Sequence, residues 1–138
     1  MNELQITEQE QEQELVRKSY CSKRPQTFEE KKELFNALES ADVLLNDCVN
    51  QVIKIKDVFS EKYQKIDEKS GEEVTKYRTI LFDEEGKTYV TTAYGIINVL
   101  ERIFKIFGTP DNWEEPIAVK VIKKSIKNNK TSLSLELV

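Results

Sequence analysis

Tyr77 and Tyr89 stand in the runs VTKYRTILF (74–82) and KTYVTT (87–92), spaced in step with Thr79, Lys87 and Thr91. Side chains alternate along a strand, so if Ile80, Phe82 and Val90 face inward, these five residues face outward on neighbouring strands. Two aromatic faces and an ammonium group suit a planar, polyanionic ligand. Rings stack on bases for about 1–3 kcal/mol per base whatever the base is, and lysine neutralises phosphate. A second group precedes them: Lys54 and Lys56 alternate with Ile53 and Ile55, followed by Phe59, Tyr63 and Lys65. Lys127 and Lys130 bracket the pair Asn128-Asn129 further on. The candidate nucleic-acid-contacting set is thus Lys54, Lys56, Phe59, Tyr63, Lys65, Tyr77, Lys87, Tyr89, Thr91, Lys127 and Lys130. Tyrosine is a common strand residue and alternate lysines often mark a solvated face, so the set carries the reading and no member does so alone.

Other chemistries have little to draw on. The chain has no histidine, which removes the commonest general base and the commonest transition-metal ligand. Cys21 and Cys48 suggest neither a disulfide framework nor a zinc site. Asp83, Glu84 and Glu85 bunch in a turn, where carboxylates usually face solvent, and there is neither a phosphate-binding glycine loop nor a nucleophile motif. No catalytic residue, metal or cofactor is expected. Tyr94 and Gly95, at a helix start, suit either packing or a phosphate at the positive end of the helix dipole. Trp113, among acids in NWEEP, is expected to cover one end of a core.

The elements that must position these residues follow from composition and period. At 138 residues, with 38% hydrophobic and 33% charged, the chain suits one globular domain. The formal charge of −4 is unevenly spread. Five glutamates lie in the first 15 residues, leaving 20 of the 25 acids against all 21 basic residues in the remainder. Within that near-neutral body, RKSYCSKR (17–24) and the five lysines of 117–130 are locally basic. No apolar run approaches the roughly 20 residues needed to span a bilayer, and MNELQITEQEQEQEL lacks the features of a secretory leader. A cytoplasmic protein that does not contact membrane is expected.

Residues 1–24 have too few apolar groups to bury and are expected to form a flexible acidic/basic arm, leaving 25–138 as the folded domain. Thr27 and Glu30 offer a capping box for a helix reaching about Ser40, with Leu34, Phe35 and Leu38 on its apolar face. A long first strand extends to about Ile66, with a bulge or bend near Asp57, where the alternation breaks. After the charged loop DEKSGEE come two strands joined at Gly86. Ile96, Ile97, Leu100, Ile103, Phe104 and Phe107 then form a helical stripe, ended by Gly108 and Pro110. A last hairpin turns at Asn128-Asn129. The expectation is a mainly β protein with two helices: a five-stranded OB-fold with one helix between strands three and four and another at the N-terminus. OB-folds hold single strands on the outer face of strands two and three, where Tyr77 and Tyr89 are placed.

The stretch YRTILFDEEGKTYVTTAYGIINVLERIFKIFGTP (77–110), followed by a lysine-rich hairpin, resembles the small OB-fold single-stranded DNA-binding proteins of Gram-positive phages and conjugative plasmids. The resemblance covers about Val52 to Val138. It implies sequence-tolerant coating of single-stranded DNA during replication or conjugative transfer of a mobile element, by subunits arrayed along the strand. The arm is expected to contact a neighbouring subunit in a homo-oligomer. Two alternatives stay open: an RNA-binding OB module, and a protein-interaction domain that uses its tyrosines at an interface.

Overall fold

The computed structural model describes Arg17 and residues 19–138. In chain order these form β1 (Tyr20–Cys21), α1 (Phe28–Glu39), β2 (Val43–Leu44), β3 (Val52–Ile66), β4 (Glu73–Asp83), β5 (Thr88–Thr91), α2 (Tyr94–Phe107), β6 (Ile117–Ile126) and β7 (Lys130–Leu137), with short 3-10 turns at Leu45–Cys48 and Pro110–Asn112. The fold is mainly β with two helices. Its strand count is seven where five were expected, because β1 and β2 are two-residue strands too short to leave a period in the sequence.

Each expected element has its local cause. Thr27 accepts from the Glu30 amide while the Glu30 carboxylate accepts from the Thr27 amide, so the capping box forms and α1 starts where it should. Gly86 turns β4 into β5 with φ near 90°, its amide bonded to the Asp83 carbonyl. Asn128 and Asn129 both take positive φ in the three-residue turn between the paired Ile126 and Lys130. Gly108 caps α2 at φ 81° and donates to the Phe104 carbonyl.

The strands form one sheet in the order β2-β5-β4-β3-β6-β7. Strand β3 is its spine. It pairs with β4 from Ile55 to Ile66, and with β6 from Val52 to Ile55. Beyond the end of that second ladder, β1 pairs with β3 at Phe59 and Ser60. A register shift between Ile55 and Asp57 in the β3–β4 ladder sits where the alternation breaks and lets the strand change direction. The sheet curls like a barrel, but among the described residues no ladder joins β7 to β5 or β2.

The concave side holds the core. Ile53, Ile55, Val58, Leu81, Val119 and Val121 of the sheet meet Ile96, Ile97, Leu100, Ile103 and Phe104 of α2. Phe107, included in the expected stripe, stays exposed at the helix end. Phe104 makes edge contacts with Tyr20 at 5.6 Å and with Trp113 at 6.3 Å. The Trp113 indole donates to the Gly108 carbonyl at 2.8 Å, so Trp113 covers the end of the core as expected. Residues 1–16 and Lys18 of the expected arm lie outside the described residues. Its later part is tied down: Tyr20 is buried in the core and Ser22 exchanges hydrogen bonds with Asp57 and the Val58 amide.

Two buried tyrosines give the core a pH limit. Burial pushes the Tyr20 hydroxyl up to about 12, and burial together with donation to Asp83 does the same for Tyr89. In the unfolded chain both would ionise near 10. The folded state therefore holds protons that the unfolded state releases, and stability present below pH 10 is lost as pH rises toward 12. Scanning calorimetry should show a melting temperature that falls steadily across that window, and Tyr89→Phe should make the fall shallower. A slope unchanged by the substitution would refute the assignment to Tyr89.

Candidate nucleic-acid interface

The β4–β5 pair is buried on both sides, and this decides which tyrosines reach solvent. Leu81 pairs with Tyr89, and Thr79 with Thr91, all on the concave face. Tyr89 is 7% exposed and Thr91 3%. The Tyr89 hydroxyl donates to Asp83 at 3.1 Å, and Thr91 bonds Asn46 at 3.0 Å. The alternation expected for these strands is therefore inverted: Tyr77, Thr79, Tyr89 and Thr91 face the core side, while Ile80, Phe82 and Val90 face outward. Ile80 and Phe82 are nonetheless buried and Val90 half-buried, and α1 with residues 22–25 lies over the outer face at Phe82. Phe82 shares a cleft with Pro25, Leu34 and Ala37, the Lys23 ammonium sits 5.0 Å above its ring, and Arg78 donates to the Leu38 carbonyl. The same packing corrects α1, which turns Leu34, Ala37 and Leu38 to the sheet and leaves Phe35 in water. A period-2 pattern gives two faces without saying which is inside, and a second apolar cover makes both look internal.

The other candidates sort onto a two-stranded ribbon, in which β3 beyond Glu61 and β4 before Tyr77 project past the core. Its outer face carries Tyr63 directly opposite Lys76 and Lys65 opposite Val74, continuing from half-buried Phe59 opposite Ile80. Tyr63 and Lys65 are exposed, and Lys76 and Val74 opposite them are half-buried. The inner face carries Lys62 opposite Tyr77 and Gln64 opposite Thr75. Tyr77 is half-buried there: its ring meets Tyr94 edge-on at 5.8 Å, and the Arg17 guanidinium lies 5.8 Å above it. Tyr94 in turn donates to the Thr75 carbonyl, and Arg17 pairs with Glu101 on α2. Tyr63 and Tyr77 are therefore on opposite faces and cannot form one platform.

The remaining lysines lie apart. Lys54 is exposed beside Glu84 at 3.7 Å, Lys56 sits at the register shift near Glu114 and Glu115, and Lys87 lies 5.6 Å above the Tyr89 ring. Lys127 and Lys130 flank the exposed turn at the tip of β6–β7. The structure thus brings Phe59, Tyr63 and Lys65 together and adds Lys76, which sequence reasoning missed. Only the pairing register puts Lys76 beside Tyr63, and one strand read alone does not display its partner.

The outer face of the ribbon thus offers one ring, Tyr63, beside two ammonium groups, Lys65 and Lys76. Comparison with known proteins bears on the whole chain. A family described as "Phage Single-stranded DNA-binding protein" matches residues 12–138. The single-stranded DNA-binding protein of Bacillus phage GA-1 is 32% identical over 123 residues, covering 85% of this chain and 71% of that protein. No solved structure matches. These matches carry the phage side of the resemblance seen in the sequence. With the match running across nearly the whole chain, this protein belongs to the phage single-stranded DNA-binding protein family, and single-stranded DNA is its ligand.

Proposed function

We propose that the chain coats single-stranded DNA without sequence preference during replication of a mobile genetic element, conjugative transfer being the finer variant of the same role. The carrying observation is the exposed outer face of the β3–β4 ribbon, where Tyr63 stands between Lys65 and Lys76. Stacking and phosphate contacts of this kind read no base edges, which suits coating. The barrel is read as an OB-fold. Support comes from a helix between the third and fourth long strands and from β3 pairing with both β4 and β6. Lys54, Lys56, Lys87, Lys127 and Lys130 lie apart from the ribbon and are proposed as separate phosphate contacts. The function needs no catalysis or cofactor, and cytoplasmic action fits it. Among the described residues no helix is long and apolar enough to cross a membrane. Of the arm read over residues 1–24, the part before Tyr20 is proposed to contact a neighbouring subunit, since β1 and Ser22 tie residues 20–22 to the OB domain read over 25–138.

Fluorescence anisotropy with labelled single-stranded DNA, single-stranded RNA and duplex DNA at two salt concentrations tests this. Tight, salt-sensitive binding to several unrelated single-stranded DNA sequences, and weak duplex binding, is expected. A strong sequence preference, or a preference for RNA of equal length, would overturn the coating role. In sedimentation runs the chain lacking residues 1–15 should self-associate less, and an unaltered distribution would remove the arm from the mechanism.

A further inference from the structure

Helix α1 leaves two large rings in water. Phe28 is 72% exposed and Phe35 63%, although both lie on a well-capped helix whose other side packs on the sheet. They stand seven residues apart, two turns or roughly 10 Å along the axis. Between them is a shallow groove of about 350 Å³ lined by Phe28, Lys31, Lys32, Phe35 and Asn36. The lining therefore combines two aromatic faces, two ammonium groups and one amide, with no carboxylate. Lys32 already sits 4.7 Å above the Phe28 ring, reaching Glu29 at 3.6 Å outside the groove.

The chemistry is selective. A purely apolar groove would suit another protein face, whereas rings interleaved with cations suit a base stacked beside its own phosphate. Position agrees. The helix covers the outer side of β4, held by Arg78 to the Leu38 carbonyl and by Leu34 and Ala37 near Phe82. Its free rings consequently stand on the same side of the sheet as Phe59, Tyr63 and Lys65. α1 occupies the part of that face where outward residues of β4 would otherwise meet a ligand.

The geometry points to α1 as a second single-stranded DNA subsite, with Phe28 and Phe35 stacking bases and Lys31 and Lys32 meeting the intervening phosphates. It replaces the covered face of β4 and extends the path of the ribbon. The inference rests on the reading that this chain binds single-stranded DNA.

The test uses the full chain, its Phe28→Ala/Phe35→Ala variant and its Phe28→Trp/Phe35→Trp variant, titrated with oligo-dT. The alanine pair is expected to bind at least tenfold more weakly with an unchanged melting temperature, since both rings are already solvated. The tryptophan pair should bind at least as well as the parent. Photo-crosslinking of the unmodified protein to oligonucleotide carrying 5-iodouracil should mark the peptide containing Phe28 or Phe35, a readout that does not depend on a variant folding. Alanine-pair affinity within twofold of the parent, without a crosslink on α1, would overturn the subsite while leaving the functional reading intact. Loss of self-association with unchanged binding to a short oligonucleotide would overturn it too, assigning the rings to a second copy of the chain. Failure of the unmodified protein to bind oligo-dT would remove the functional reading itself.

Discussion

Gly95→Ala is expected to lower the melting temperature by on the order of 10 °C, or to leave no folded protein. Gly95 is the second residue of α2, where the helix crosses β7. A Cβ there would lie 2.0 Å from the Leu133 carbonyl oxygen and 2.4 Å from the Ser132 hydroxyl. The first of these atoms is backbone inside a paired strand, so no side-chain rotation relieves the clash. Alanine would gain up to about 1 kcal/mol of helix propensity. Overpacking typically costs about 1–3 kcal/mol and more against an immovable partner, so the clash should win. The helix would have to lift off β7, and Ile96, Ile97 and Leu100, all in the core, would move with it. Each kcal/mol shifts the melting point by about 2–8 °C in domains around this size. Thermal melts followed by circular dichroism check this, and a melting temperature within 2 °C of the parent would show that the two backbones are not in contact.

The second large effect concerns affinity. Replacing Tyr63, Lys65 and Lys76 together by alanine should weaken binding to single-stranded DNA by about a hundredfold near 0.1 M salt, combining one lost stack with two lost phosphate contacts. The slope of log affinity against log salt should become shallower by about 1.4, because each phosphate contact on a single strand contributes about 0.7. Stability should hardly change, since these side chains lie on the ribbon and outside the core. An unaltered salt slope would remove both lysines from the phosphate path whatever happened to the affinity. Alanine at Tyr77 and Tyr89 would test something else: Tyr89 is a core residue, and its loss would act through stability.

The sequence foretells the elements better than it foretells their faces. The capping box at Thr27, the glycine cap after Phe107 and the turns at Gly86 and Asn128-Asn129 are local devices, and each forms where its residues stand. The five long strands and the helix between the third and fourth follow from period alone. Strands β1 and β2 escape notice because two residues carry no period and their pairing is set entirely by tertiary position. For the candidate site, Phe59, Tyr63 and Lys65 are named in the sequence for lying near the first loop, and the structure places all three on one face of β3. Tyr77, Tyr89 and Thr91 fall on the face opposite to the expected one because the outward Ile80 and Phe82 are as buried as the core-facing Leu81. Lys76 and the rings of α1 depend on register and docking, which no single segment encodes.

Strand β3 passes from one mechanical regime to another along its own length. Toward the core Ile55, Phe59 and Ser60 are clamped between partner strands on both sides, while its last six residues belong to a ribbon with a single partner strand. A two-stranded ribbon is only marginally stable by itself, so the outer half of β3 can bend and twist at small cost while the core half stays fixed. Ordering a bound strand against it then spends entropy in the ribbon alone. A compliant surface on a stiff base can follow purine and pyrimidine stretches of different thickness without repacking the barrel.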